Sequence, residues 1–368
     1  MRLAILGSRG YPSTYSGYET LVRHLVPHFV ERGHAVTVYC RDETAADNAA
    51  PMAGVRRITT RGWNTKSLST PSHGLTSSLD AMFRRFDAAL VVNIANGFWL
   101  PLLRAARLPT AVNTDGLEWE RGKWNRLAQG VFRLGASFTA AHANELVADS
   151  TVIGEIWREE FGRDSTFIPY GAPVVTDAGR DELGAVGLGD QPFLLSVARL
   201  VPENNVDLTL DALELLGDSA PLGVIAGSGV GSVPLESRLE AMSARGRVLW
   251  LGHVDDQRLL TQLWANCSVY VHGHSVGGTN PSLLQALGAG APTIALGTPF
   301  NAEVLRNDAQ LYEPSPEHLA RRIWEVVDDP ELRAELAGRG RGEVAERYSW
   351  TDVCGRYLEL LERLAAAR

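Results

Sequence analysis

The chain has 368 residues, 45% of them apolar, which is long enough for two domains that each bury a sheet of their own. Its net charge of -8 argues against a general nucleic-acid-binding protein. The three cysteines are far apart and share no Cys-x-x-Cys spacing, which argues against a disulfide framework or a cysteine zinc site and favours a reducing compartment.

No segment of the sequence predicts secretion or insertion into a membrane. The N-terminus, MRLAILGSRG, lacks the length and cleavage pattern of a signal peptide and predicts a first strand instead. The longest apolar region, residues 88–103, is interrupted by Asn93, Asn96 and Pro101 and falls short of the roughly 20 apolar residues that span a bilayer. We therefore expect a soluble, cytoplasmic chain.

Short aliphatic runs alternate with helix-length segments along the chain, a pattern that predicts βα units and parallel sheets. The first series of predicted strands is RLAIL, AVTVYC, GVRRITT, DAALVVN and PTAVN. A second series follows, with PFLLSVA, PLGVIAG, RVLWLG, SVYVHG and APTIALG. Between them, residues 165–179 carry the prolines and glycines expected of a linker.

The last twenty residues predict an amphipathic helix docked on the body of the protein, with an apolar stripe at helical spacing formed by Trp350, Val353, Tyr357, Leu360, Leu361 and Leu364. The predicted fold class is α/β, with two Rossmann-like, doubly wound parallel-sheet domains facing each other across a cleft. The predicted boundaries are 1–172 and 173–345, followed by a C-terminal helix at 346–368. In such sheets ligands bind beyond the carboxyl ends of the strands.

The loop after the first predicted strand, GSRGYPSTYSGYE, contains glycines that let backbone N–H groups approach an anion. Gly7, Gly10 and Gly17 are too widely spaced for the GxGxxG dinucleotide fingerprint, although Asp42 lies roughly where a ribose-binding acid would be. The alternative is a glycine-rich turn without a ligand.

A second glycine-bearing loop, HSVGGTNPSLLQAL, precedes a predicted helix in the second half of the chain. Gly277 and Gly278 allow close approach, Thr279, Asn280 and Ser282 can cap the helix or bind a ligand, and the helix start offers unpaired N–H donors that suit a phosphate. The alternative is a capped helix whose polar side chains serve only its own backbone.

The segment SVARLVPENN places Arg199 after the first strand of the second series, where a guanidinium can pair with a diphosphate. Glycine-bearing helix starts and an arginine at strand ends of two opposed domains together predict a bound nucleotide diphosphate. The alternative for Arg199 is a surface arginine followed by a capping run.

The segment NTDGLEWERGKWN mixes carboxylates, cations and tryptophans suited to hydrogen bonding and stacking on a sugar. Asp115, nearest the strand end, is the strongest candidate in it; Glu120 and Lys123 are assigned to a solvated surface.

His272 and His274 point the same way from a strand end, but without a further ligand nearby we assign them to a polar rim and predict no metal site.

The first 175 residues carry a net +3 and the remainder -11, so we expect the two halves to meet different partners. Basic residues of the first domain either solvate its helices or meet anionic lipid headgroups, and the sequence leaves both open. They are Arg56, Arg57, Arg61, Lys66, Arg84, Arg85, Arg104 and Arg107.

Taken together, these segments resemble the GT-B glycosyltransferases of family 4, specifically the rhamnosyltransferase-like branch with a distinctive N-terminal domain. The resemblance spans nearly the whole chain and is carried by GSRGYPSTYSGYET, NTDGLEWERGKW, IPYGAP, SVARLVPENN, LGHVDDQ and VHGHSVGGTNPSLLQAL. It implies retaining transfer from a nucleotide-diphosphate sugar bound to the second domain, with the glycan or lipid-linked glycan acceptor on the first. It implies no cofactor and no metal.

By the same resemblance, Arg199 and the helix start from Thr279 stabilise the departing diphosphate, and Asp115 contacts the sugar or the acceptor. The remaining donor contacts are Gly10, Ser16, Gly17, Asn204, Gly277, Gly278, Asn280 and Gln285. The remaining acceptor or sugar contacts are Tyr15, Glu19, Glu118 and Trp119.

The chain departs from the family pattern at several of these positions. Asn204 replaces a lysine, Gly277 and Gln285 replace a pair of glutamates eight positions apart, and Ser16 replaces a glycine. The glycine at 277 fits the branch, whereas a neutral amide at 285 is a weaker acceptor for a ribose hydroxyl than a carboxylate is.

We therefore expect a glycosyltransferase that builds a cell-surface glycan and is cytoplasmic or peripheral to the inner membrane face. Two alternatives remain: a catalytically impaired GT-B relative that binds nucleotide or glycan without transfer, and a sugar-nucleotide epimerase of similar fold.

Overall fold

A computed structural model describes residues 1–12, 17–41, 53–63, 69–114, 116–120, 126–229 and 233–367. The chain divides into two compact units, the first formed by Met1–Tyr170 and Trp350–Arg368 and the second by Gly171–Ser349. Among the described residues, no helix combines the length and the apolarity needed to cross a bilayer.

Unit 1 is built on a seven-stranded parallel sheet in the order β3-β2-β1-β4-β5-β6-β7. Leu3 to Leu6 of β1 are at most 2% exposed, so this apolar run is covered on both faces, as a central parallel strand requires. The strands are β1 (Arg2–Leu6), β2 (Ala35–Arg41), β3 (Val55–Thr60), β4 (Ala88–Val92), β5 (Thr110–Asn113), β6 (Glu145–Ala148) and β7 (Thr166–Phe167).

Helices cover both faces of this sheet, because the chain first runs from β1 to β3 and then returns to continue from β4 to β7. The helices are α1 (Gly17–Glu31), α2 (Ser69–Met82), α3 (Leu100–Ala105), α4 (Arg126–His142) and α5 (Thr151–Phe161), with short 3-10 helices at Ile94–Trp99 and Glu118–Glu120. Helix α2 packs on α3, and α3 packs on α4, so these three form one layer.

Unit 2 repeats the plan with a six-stranded parallel sheet in the order β10-β9-β8-β11-β12-β13. Its core contains Leu194, Ile225, Val271 and Ile294, all at most 1% exposed. The strands are β8 (Phe193–Val197), β9 (Leu222–Ala226), β10 (Val248–Gly252), β11 (Val269–His272), β12 (Thr293–Leu296) and β13 (Leu311–Tyr312).

The helices of unit 2 begin at side chains suited to capping, with Asp256 before α8 and Asn280 before α9 as examples. They are α6 (Val206–Leu216), α7 (Val233–Ala244), α8 (Gln257–Asn266), α9 (Pro281–Ala289), α10 (Pro299–Leu305), α11 (Pro316–Asp328) and α12 (Pro330–Arg347), with short 3-10 helices at Pro202–Asn204, Gly184–Val186, Gly217–Ser219 and Asp308–Gln310.

The last helix, α13 (Trp350–Ala366), belongs to unit 1, where it packs against α1, β4 and β5. Val353, Tyr357 and Leu361 of the predicted stripe are at most 1% exposed, and Trp350 stacks on His24 with ring centroids 3.9 Å apart. The amide Nδ2 of Asn113 donates to the hydroxyl of Tyr357 over 2.6 Å. The predicted docked amphipathic helix is confirmed.

The α/β fold class is confirmed, and all ten predicted strands are present. The sequence reading missed β6, β7 and β13, of which the last two have only two residues each. Residues 165–179 are not simply a linker: they contribute β7 to unit 1, and the N–H of Val175 donates to the carbonyl of Gly288 in unit 2 over 2.9 Å. A two-residue strand carries too little alternation to be recognised from sequence.

Candidate active site

The strand order of unit 2 reverses between β8 and β11, which pair in parallel with Val269 opposite Leu194. The loops after these strands leave the sheet at the same edge, and such a switch point is where open α/β sheets bind ligands. The backbone N–H and the hydroxyl of Ser275 both donate to the carbonyl of Glu203 over 2.9 Å. The amide of Asn205 donates to the carbonyl of Gly273 over 2.8 Å. The Arg199 loop and the glycine loop are therefore held together.

The glycine loop ends in the N-cap of α9. The Oδ1 of Asn280 accepts from the backbone N–H of Ser282 over 3.0 Å and from its hydroxyl over 2.8 Å. The Asn280 side chain thus provides an acceptor for a backbone N–H group at the start of α9, as the capping alternative predicted. The donors left for a ligand are the backbone groups that precede it.

Several donors at this edge have no acceptor in the described part of the chain. They are the backbone N–H groups of Gly277 and Gly278 and the exposed guanidinium of Arg199. The two glycines lie just before the N-terminal end of α9, whose dipole favours negative charge, and the Arg199 loop is bonded to the same glycine loop. This arrangement is suited to an anion with several oxygens, such as a diphosphate.

Gly277 has a φ of 143°, which L side chains rarely adopt. A Cβ added there would meet no heavy atom within 4 Å, so packing does not explain the glycine. Backbone conformation and free access to the peptide N–H explain it instead.

Asn204 and Gln285 differ in what they contact. Asn204 is 3% exposed, and its amide donates to the carbonyl of Arg199 over 2.9 Å, so it holds the loop rather than pointing a free donor outward. We therefore replace its predicted contact with the donor by a role in loop positioning. The half-buried amide of Gln285 on α9 makes no hydrogen bond to the described residues and is available to a ligand.

The two histidines of this edge stack on each other with ring centroids 4.3 Å apart, which confirms that they point the same way. His272 is 1% exposed, so its assignment to a polar rim is wrong. Burial, with His274 beside it, holds the pKa of His272 well below its ordinary value, and the imidazole is neutral. His274 lines a small depression together with Val276, Gly277, Gly278, Asn280, Phe300 and Asn301.

Unit 1 has its own switch point between β1 and β4. Gly7 directly follows β1 with a φ of 94°, and a Cβ there would overlap the carbonyl of Val92 and the amide of Asn96. Gly10 has a φ of 154°. These glycines are explained by the close approach of two strand ends and by the turn that follows.

Glu19 lies in the first turn of α1 and is 3% exposed. Its Oε1 accepts from the backbone N–H of Arg9 over 2.8 Å, which fastens the glycine loop to the helix. A contact between Glu19 and the acceptor stays a prediction. Gly17 is the first residue of α1, and the candidates Tyr15, Ser16, Asp115 and Asp42 lie outside the described residues.

Trp119 is 7% exposed and packs edge-on against Trp157 and Phe161 of α5, at centroid distances of 6.1 and 5.6 Å. Because its ring belongs to the core, we no longer assign it to a sugar. Glu118 is half-buried at the start of the Glu118–Glu120 turn, and its contact with the sugar or the acceptor stays a prediction.

One loop at the unit 2 switch escaped the sequence reading. Gly227 follows β9 with a φ of 147°, and a Cβ there would overlap the carbonyl of Ala198. The N–H of Leu200 donates to the carbonyl of Ser228 over 3.2 Å, so this loop borders the Arg199 loop. The run AGSGVGS directly after a predicted strand was the available signal.

Within the described ranges, no three His, Cys, Asp or Glu side chains are grouped in a way that could hold a metal ion. The described polar groups of the site include a guanidinium, backbone N–H groups, neutral amides and two imidazoles.

Two family models match the chain: "Glycosyl transferase 4-like domain" over residues 16–171 and "Glycosyl transferases group 1" over residues 183–343. Among curated proteins, the chain is similar to the GDP-mannose-dependent alpha-(1-6)-phosphatidylinositol monomannoside mannosyltransferase of Mycobacterium tuberculosis, with 25% identity over 400 aligned residues and full coverage of both. It is also 25% identical over 211 residues to the lipopolysaccharide core biosynthesis glycosyltransferase LpsE of Rhizobium meliloti, covering 56% of this chain and 58% of LpsE.

Two solved structures share the fold over the whole length. HepE of Anabaena in complex with UDP gives a TM-score of 0.77 at 16% identity, covering 99% of this chain and 100% of HepE. The sucrose-phosphate synthase of Thermosynechococcus elongatus gives a TM-score of 0.83 at 16% identity and full coverage of both chains.

Proposed function

Because the chain belongs to the GT-B glycosyltransferases of family 4, we propose that it transfers a hexose, or a deoxyhexose such as rhamnose, from a nucleotide diphosphate to a glycan or lipid-linked glycan, with retention of configuration and without a metal. The observation that carries this proposal is the set of unused donors at the unit 2 switch point: the Arg199 guanidinium and the N–H groups of Gly277 and Gly278 at the start of α9.

These donors are suited to the charge that develops during glycosyl transfer. As the bond between the anomeric carbon and the donor oxygen breaks, the diphosphate takes the electron pair and gains negative charge. Fixed N–H donors and a guanidinium stabilise that charge without reorganisation. The acceptor hydroxyl forms the new bond to the anomeric carbon, and its proton passes to the departing phosphate oxygen.

The other assignments follow from position. Gln285, four residues into α9, is proposed to hydrogen-bond a ribose hydroxyl of the donor. The glycine loop of unit 1 and Asp115 are proposed to meet the sugar and the acceptor. The M. tuberculosis relative, named for a phosphatidylinositol mannoside substrate, supports an acceptor with a lipid anchor.

A binding protein without transferase activity is the second candidate. Asn204 supports this candidate, because its side chain is neutral and its amide donates to the carbonyl of Arg199. The loop therefore offers the donor the positive charge of Arg199 without a second cation at position 204. Such a protein would keep the nucleotide and lose the reaction.

The test is the turnover of a nucleotide sugar by Arg199→Ala. A panel of dTDP-, UDP- and GDP-sugars first identifies the donor by thermal shift, since a ligand at about 100 times its Kd stabilises by about 2.7 kcal/mol. Loss of one transition-state donor should then lower kcat by about 100- to 1,000-fold. The matched control is Arg245→Ala, which removes an exposed arginine without a described partner from the turn directly after α7.

Each outcome decides between the candidates. Transfer or hydrolysis by the wild type, lost in Arg199→Ala and retained in Arg245→Ala, supports the transferase. Tight donor binding without either reaction supports the binding protein, and an epimeric sugar nucleotide formed without acceptor supports an epimerase. Unchanged turnover in Arg199→Ala overturns the role given to that side chain.

A further inference from the structure

Helix α4 exposes large apolar side chains on the side opposite to its buried face. Gly135, Ala136, Thr139 and Ala140 are buried, whereas Leu127, Val131 and Leu134 are 79%, 49% and 52% exposed. The last three are separated by four and three positions and therefore share one stripe of the helix, which we call the α4 stripe. Contiguous exposed apolar side chains of this size mark an interaction surface for a protein or a membrane.

The charges on helix α4 itself have one sign, although the neighbouring Glu118–Glu120 turn and helix α5 carry glutamates. Helix α4 contains no aspartate or glutamate, and its arginines are Arg126 and Arg133. The Nη2 of Arg133 forms an ion pair with the Oε2 of Glu160 on α5 over 2.9 Å. The exposed Arg126 has no ion-pair partner in the described part of the chain. An apolar stripe bordered by arginines is the pattern of a helix that lies in a membrane interface.

The neighbouring helices of the layer extend this pattern. Near the end of α2, Leu79 and Phe83 are four positions apart and 41% and 87% exposed. Arg85 and Arg107 are exposed and have no partner among the described residues.

Acidic residues contribute little to this layer. Residues 69–114 and 126–142 together contain six arginines and two aspartates. Asp80 accepts from Arg84 and from the hydroxyl of Tyr39, and Asp87 accepts from the backbone N–H of Arg2. Both carboxylates are engaged within the fold, so the outer charge of the layer is positive.

We propose that the outer surface of the α2–α4 layer docks on an anionic lipid bilayer, with the α4 stripe inserted at the boundary between headgroups and acyl chains and the arginines on the lipid phosphates. A second copy of the chain fits less well, because a twofold contact would bring two positive surfaces together. Lipid supplies both the apolar layer and the opposite charge.

This inference goes beyond the proposed reaction, because vesicle binding is measured without donor or acceptor. The purified chain is floated with vesicles of equal parts phosphatidylcholine and phosphatidylglycerol and, separately, with phosphatidylcholine alone. Binding to the anionic vesicles is expected to be stronger and to weaken at high salt. Binding to neither kind, or equal salt-insensitive binding to both, overturns the proposal.

Variants locate the contact. The triple change Leu127→Asn, Val131→Asn and Leu134→Asn should weaken binding to anionic vesicles about tenfold or more. Arg126→Gln should weaken it about fivefold. The matched control is Leu215→Asn on α6, a leucine that is 56% exposed and should leave binding unchanged. Thermal unfolding verifies that each variant is folded.

A label provides a readout that does not depend on truncating the stripe. The three native cysteines are buried, so a polarity-sensitive thiol probe can be directed to Val131→Cys or, as control, Leu215→Cys. Anionic vesicles should shift the emission at 131 to the blue and leave 215 unchanged. If instead the probe at 131 responds to protein concentration and not to vesicles, the stripe is a contact between copies and the proposal falls.

Discussion

The two switch points of this molecule use their glycines for different purposes. In unit 1, Gly7 is needed because the ends of β1 and β4 approach so closely that a Cβ would overlap the Val92 carbonyl. In unit 2, Gly277 meets no neighbouring atom within 4 Å, and the N–H that it presents is unused. The first glycine builds the fold, and the second leaves room for a ligand.

The same contrast applies to the polar side chains. In unit 1, a carboxylate oxygen of Glu19 accepts a hydrogen bond from the backbone of the glycine loop. In unit 2, the amide of Asn204 donates to the loop backbone, and the side-chain oxygen of Asn280 accepts from it. Among the described groups of unit 2, backbone N–H groups, the Arg199 guanidinium and the Gln285 amide remain for a ligand. A loop that satisfies its own side chains is rigid, and its unused donors are therefore already in position.

The largest expected effect concerns the two glycines themselves. Gly7→Ala should lower the free energy of unfolding by about 3 kcal/mol or more, because strain at positive φ adds to an overlap with backbone. Gly277→Ala should cost only about 1 to 2 kcal/mol, from φ alone, while weakening donor binding about tenfold or more. Urea unfolding and donor titration measure the two quantities. Equal destabilisation of both variants would remove the distinction.

Helix caps offer a second way to sharpen the comparison. Asn280→Ala and Asp256→Ala each remove an N-cap, of α9 and α8, and each should lower stability by about 1 kcal/mol. Only the first should also weaken donor binding, because only α9 begins at the proposed diphosphate site. If both variants bind the donor like the wild type, α9 has no role in binding.

Gln285→Glu tests the assignment to the ribose. A carboxylate accepts a hydroxyl hydrogen bond more strongly than an amide does, so donor affinity should rise about three- to tenfold. Isothermal titration measures it, with Gln257→Glu at the start of α8 as the control for added charge. Weaker binding in Gln285→Glu counts against the assignment.

The smallest expected effect is a pH dependence in unit 1. Burial, and secondarily Arg23, lowers the pKa of His24 from 6.5 to about 4 where it stacks on Trp350. Because the folded state favours the neutral ring, its stabilisation is complete above about pH 6.5 and is lost as the pH falls toward 4. Allowing for partial exposure, the loss is on the order of 1 kcal/mol. Thermal unfolding of wild type and His24→Phe at pH 7.5 and 5 measures this loss as the difference between the two proteins. Acidification should destabilise the wild type more than the variant, because buried His272 contributes to the pH dependence of both.

Much of the fold was accessible from sequence because long aliphatic runs are unambiguous. All ten predicted strands have at least four residues, whereas β7 and β13 have two each and gain their pairing from the sheet. Periodicity cannot report a strand that owes its existence to neighbours remote in sequence. The family models that cover both halves of the chain confirm glycosyltransferase family 4, whereas the rhamnosyltransferase-like branch stays a prediction.

Individual side-chain roles were less accessible. The type of Asn204 was compatible with a ligand, and only its distance of 2.9 Å from the Arg199 carbonyl assigns it to the loop. Trp119 is a residue type that can stack on a sugar, but its ring packs edge-on against Trp157 and Phe161 instead. His272 belongs to a strand end that sequence placed correctly, but its burial depends on the surrounding packing. Residue type gives the chemistry available, and tertiary contacts decide whether it is used.

The passage of the chain out of unit 1 at Tyr170 and back into it at Trp350 has a consequence for biosynthesis. The ribosome delivers the first 170 residues early, but the helix that covers β4 and β5 and supplies Tyr357 to Asn113 arrives last. At roughly 5–20 residues per second, the nascent unit waits on the order of ten to forty seconds with that apolar face uncovered. Chaperones that shield hydrophobic surface during translation should therefore engage this protein through its N-terminal half.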